Sequence, residues 1–260
     1  MKALQLAGKQ DRFKQRFVQS TCPSGITVTV RLLVDSKNLR GSTLVTGFHG
    51  VGQTGYIATS YMIHALKAER IGFIDVSNPP PWVGTAEGGL VTPFEVYRRG
   101  KTVLVKLEFS PHRSEEAEFA KSISDWAIGQ KFKDAILIGG LDSAYKQTKE
   151  DFCVVPTGAY LDRAKLFKAP ILEPGLLVYG PLAIMLNEFE IHDFPAVAVL
   201  PYAEPARADP AAAALAIRKI SKAYNFNVEV SDLVKDAKFI EREFDQKSRL
   251  TRKSLQRMYA

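Results

Sequence analysis

Residues 47–55 read GFHGVGQTG, four glycines in nine positions, set between the short apolar run TLV at 43–45 and an amphipathic segment. Such a turn closes a strand and opens a helix, because glycine alone lets one backbone approach another closely. Gly50, Gly52 and Gly55 have the spacing of a dinucleotide-binding turn. Asp75, twenty residues beyond Gly55 at the end of the next apolar run, stands where a ribose-binding acid would. Two readings stay open at this point: a nucleotide site on Gly50, Gly52 and Gly55, or a structural turn made of Gly47, Gly50, Gly52 and Gly55. A P-loop is excluded, since Gln53 rather than lysine precedes Thr54.

Outward from this turn the chain alternates strand and helix patterns. ITVTVRLLV (26–34) is β-branched and alternates in its first half, and the polar turn SKNLRGS separates it from a strand at 43–47. Ile57, Tyr61, Ile63, His64, Leu66 and Ala68 mark a helix, and IGFIDV (71–76) a buried strand. The next seventeen residues form a long loop in which Pro79, Pro80 and Pro81 favour an extended polyproline form and Trp82 docks on its own core or on a partner. A hairpin is predicted at 94–98 and 102–109, then a helix within 111–130 whose first turns carry Glu115, Glu116 and Glu118. AILIGGL (135–141) is a buried strand that ends in Gly139 and Gly140, at the edge where α/β proteins place ligand crevices. Short strands are read at 152–155 and 176–179, a helix at 181–189 and a strand at 196–200. Asp209-Pro210 then supplies an N-cap and first residue for an alanine-rich helix. This alternation predicts an α/β fold with a parallel or mixed sheet covered on both faces.

The composition narrows the function. The 260 residues, 46% of them hydrophobic, suffice for one large core, and the +7 charge is spread along the chain rather than gathered for nucleic acid. No apolar run reaches the ~18 residues of a membrane span, and MKALQLAGKQDRFKQ turns charged before a signal core could form, so a cytoplasmic protein is expected. Cys22 and Cys153 form no CxxC, and His49, His64, His112 and His192 have no ligand spacing. No GxSxG is present. No metal or cofactor is expected.

At the other end, Ser231 can cap a helix with an apolar stripe of Leu233, Ala237, Ile240 and Phe244. The stripe lapses after Phe244, and 245–260 is polar and basic up to Met258, Tyr259 and Ala260. The tripeptide is either a frayed end or a recognition element, with an apolar residue and a tyrosine for a pocket and a carboxylate for a lysine.

GFHGVGQTG with its helix, IGFIDVSNPPP, AILIGGL, LPYAEPARADPAAAALAI and SDLVKDAKFIE, in this order over about 43–244, resemble the archaeal homologues of the second proteasome assembly chaperone. His49 departs from that family, which usually has proline or a small residue there. The resemblance implies a three-layer α/β sandwich with a mixed, largely parallel sheet of the phosphorylase/hydrolase type, and no catalysis. It divides the chain into an N-terminal extension (1–25), the α/β domain (26–230) and a C-terminal helix and tail (231–260). It also implies that Met258, Tyr259 and Ala260 match the hydrophobic-tyrosine-any ending of proteasome-binding members. The partners would be proteasome α-subunits and other copies of this chain, in a tetramer or pentamer. Several tails on one body raise avidity by roughly 100-fold or more over a single weak anchor.

Overall fold

The computed structural model describes residues 16–21, 27–35, 37, 39–86, 89–146 and 149–235. Of the helix and tail read at the C-terminus, only residues 231–235 fall within it. Ala237, Ile240, Phe244 and the tripeptide Met258, Tyr259 and Ala260 lie outside the described residues.

The chain runs β1 (Arg16–Thr21), β2 (Thr27–Val34), β3 (Thr43–Gly47), α1 (Thr54–Ala65), β4 (Glu69–Val76), β5 (Gly84–Ala86), β6 (Gly89–Val91), β7 (Phe94–Arg99) and β8 (Thr102–Leu107). It continues through α2 (Glu116–Gly129), β9 (Asp134–Ile138), β10 (Leu141–Asp142), β11 (Phe152–Pro156), α3 (Leu161–Ala164), α4 (Pro181–Ile191), β12 (Ala196–Ala203) and α5 (Pro210–Tyr224). One mixed sheet has the order β1-β2-β4-β7-β8-β3-β9-β12-β10, with β11 also paired to β12. The block β8-β3-β9-β12 is parallel, whereas β1, β2, β4, β7 and β8 pair antiparallel.

The two-residue period of the strands builds two cores. Leu44, Ala135, Leu137, Ala198 and Leu200 face α2 and α4, while Val45, Ile136, Ile138, Val197 and Val199 face α1 and α5. The expected sandwich, a mixed sheet between two helical layers, is therefore present. On one face α5 begins as read from the sequence: Asp209 Oδ1 accepts from Ala212 N at 2.9 Å, Pro210 follows, and Asn225 ends the helix in the left-handed conformation. Its alanines, Ala212, Ala213, Ala214 and Ala216, are buried and keep α5 close to the sheet.

Three details differ from the sequence reading. Residues 176–179 are not a strand but an irregular strap leading to α4. The loop after β4 contains the small β5–β6 hairpin, tied down by Arg70 Nη1 donating to Leu90 O at 2.6 Å. Ser231 lies within helical residues and donates to Glu229 Oε1 at 2.8 Å.

Candidate functional site

The glycine turn sits where β3 meets α1, and each glycine there has its own surroundings. A Cβ on Gly47 would stand 2.5 Å from the Cα of Gly55, and one on Gly55 would fall 2.7 Å from Phe48 N and against Ile138 O. Strand and helix touch backbone to backbone at this point. Gly52 has φ 62° and donates no room either: its added Cβ would lie 2.8 Å from that of Ala203, and its carbonyl accepts Asp209 N at 2.8 Å. Gly50 is different, with nothing within 4 Å of an added Cβ.

Three amides of this turn are engaged by the turn itself. Gly50 N donates to Phe48 O, Gln53 N to Gly50 O and Thr54 N to Val51 O. A dinucleotide cradle needs such groups aimed at a pyrophosphate. Asp75 is likewise out of place for a ribose. It stands on β4, three strands from β3, about 14 Å at ~4.8 Å per strand step, and it pairs with Arg31. The spacing of Gly50, Gly52, Gly55 and Asp75 is thus present in sequence while the structure does not bring the acid to the turn.

The turn does form one wall of a cavity of about 630 Å³ at the C-terminal ends of β3, β9 and β12. The ladder explains the opening: Gly139 N still donates to Val199 O at 3.2 Å, and β10 resumes pairing with β12 two residues later. Between them Gly140 packs against Val51 O. His49, Gly50, Val51, Gly139 to Asp142, the strap 175–180, Leu182, Glu116 and Tyr145 are among the residues that line it. Gly139 and Gly140, expected beside a crevice, are here; Glu116, Leu182 and the strap are the parts that sequence reading did not assign to it.

His49 is held by its ring. Its ring stacks on Tyr56 at 4.4 Å between centroids, Tyr56 Oη donates to Glu108 Oε2 at 2.8 Å, and Lys106 pairs with Glu108. His49 Nδ1 is buried without a hydrogen-bond partner. Burial pulls its imidazole from 6.5 down to about 4, against the opposing pull of Glu108, so the ring is neutral at neutral pH. Glu116 opens α2, and its Oε1 lies 3.3 Å from the place a Cβ on Gly180 would take, beside the first residues of α4. Among the described residues no group of three or more His, Cys, Asp or Glu is placed to hold a metal, and no helix is long and apolar enough to cross a membrane.

Comparison with known proteins gives the same fold. The model of the PAC2 family matches residues 44–248. An archaeal homolog of proteasome-assembly chaperone, PbaA of Pyrococcus furiosus, superposes with a TM-score of 0.75 at 23% identity, over 86% of this chain and 99% of that one. PbaB of the same organism, an archaeal proteasome activator, gives 0.66 at 14% identity, over 85% and 98%. An uncharacterized protein of Methanocaldococcus jannaschii is 22% identical over 240 residues, 83% of this chain and 86% of the relative.

Proposed function

Because this chain belongs to the PAC2 family, we propose that it is a non-enzymatic proteasome assembly chaperone or activator that docks on the proteasome α-ring through Met258, Tyr259 and Ala260. The match of the family model over most of the chain carries this reading. The fold shared with PbaA and PbaB, described respectively as a chaperone homolog and a proteasome activator, is consistent with it.

The α/β body supplies a rigid platform, and the tripeptide supplies the anchor. Met258 fills an apolar pocket, the Tyr259 ring offers a flat apolar face with a hydroxyl, and Ala260 is small enough to let a pocket close behind it. The basic run Lys247, Arg249, Arg252, Lys253 and Arg257 attracts an acidic α-ring surface from a distance. A homo-oligomer, a tetramer or pentamer, working in the cytoplasm, presents several anchors at once.

A pull-down of archaeal proteasome core particles on the immobilised full chain tests the reading. Retention of the core particle by the unaltered chain is expected, with loss on removal of 258–260. Undiminished retention by the shortened chain would sink the anchor, and no retention by either chain would sink the proteasome reading itself.

A further inference from the structure

We propose that the cavity at the ends of β3, β9 and β12 binds a small organic cation, an amine with an aliphatic or aromatic body, whose ammonium group is held by Glu116. This site lies on the α/β body and is separate from the docking proposed for the tail.

The volume, about 630 Å³, is in the range of roughly 300–1,000 Å³ that small-molecule pockets occupy. Its lining is mainly apolar, Leu141, Leu182 and Leu200 among it, which suits a hydrocarbon body rather than a sugar. The charge is of one sign. Glu116 and Asp142 line the cavity and no Lys or Arg does, and Lys146, 5.9 Å over the Tyr202 ring, already pairs with Asp151 at 2.6 Å. Glu116 makes no hydrogen bond or ion pair among the described residues, while Asp142 Oδ1 accepts from Ala144 N.

Tyr145 and Tyr179 also line the cavity, 59% and 77% exposed, and phenol faces attract cations. A phosphate meets the opposite conditions. The start of α4, the natural anion position, has the Glu116 carboxylate beside it, so a second anion would be repelled.

Calorimetry on the full chain with n-hexylamine, n-hexanol, hexanoate and AMP tests this. Saturable one-site binding of hexylamine is expected, with hexanol at least tenfold weaker and no binding of hexanoate or AMP. Glu116→Gln should weaken hexylamine at least tenfold and leave hexanol unchanged. Tyr259→Ala should leave hexylamine binding unchanged, so failure of the docking proposal and failure of this one are distinguishable. Absent hexylamine binding, hexanoate or AMP binding as tight as the amine, or binding indifferent to Glu116→Gln would each overturn the proposal. The contrast of amine with carboxylate is read on the unaltered chain, so it holds even where Glu116→Gln lowers stability.

Discussion

Gly47 and Gly55 lie back to back: a Cβ on Gly47 would stand 2.5 Å from the Cα of Gly55, so the end of β3 and the first turn of α1 are in direct backbone contact. Substitution here forces the helix away from both β3 and Ile138 of β9. Gly55→Ala is expected to cost roughly 3 kcal/mol, as overpacking does when no side chain can give way. Gly50→Ala, five residues earlier at φ −123° with open space around it, should change stability by no more than about 1 kcal/mol. Urea unfolding midpoints of the two variants check the contrast, and equal losses would show that close packing is not what the turn requires.

The foot of β9 is buried. Asp134 is fully buried, pairs with Arg163, and accepts from Tyr224 Oη at 3.1 Å; Tyr224 Oη is 2.6 Å from Tyr160 Oη. These groups join β9, α3 and α5. Tyr224→Phe removes a donor from a buried carboxylate and should cost about 1.5–3 kcal/mol, read from the same urea midpoints.

The same tyrosine sets an alkaline limit. Burial first, and then Asp134, raise the Tyr224 hydroxyl well above the ordinary 10.0. Past that value the unfolded chain releases its proton while the folded chain keeps it, so stability falls as pH rises. Between about pH 9 and 11 the midpoint of the unaltered chain should drop more than that of Tyr224→Phe; parallel curves would remove Tyr224 from the account.

His49 acts at the acid end. With its imidazole lowered from 6.5 to about 4, the unfolded chain takes up a proton in that window that the folded chain refuses. Stability is therefore full above 6.5 and declines towards 4, by roughly 2–4 kcal/mol from this residue. His49→Phe keeps a ring against Tyr56 and should flatten that part of the profile. An unchanged slope would contradict the buried, neutral imidazole.

What the sequence made legible was the local grammar. The glycine turn, the run AILIGGL and the pair Asp209-Pro210 each specify their own structure through backbone contact, burial or capping, and each is found where it was read. Strand order was not legible. Nothing near Asp75 says that β4 pairs with β2 and β7 instead of lying beside β3, and that pairing takes the acid away from the turn. The run LLVY at 176–179 has the apolarity of a strand but no ladder partner, and it became a cavity wall. Glu116 gave no signal of its own, because an acid in the first turn of a helix is already explained by the helix dipole. Only the approach of α4 to α2 puts it at the cavity.

Native mass measurement of the full chain mixed with archaeal proteasome α-subunit rings, unaltered and as Tyr259→Ala, tests most directly the proposal that Tyr259 anchors this chain to the proteasome. The account predicts a mass for a complex of several chains on one ring with the unaltered protein, and separate masses for ring and chain with Tyr259→Ala. The same complex at the same abundance with Tyr259→Ala would contradict it.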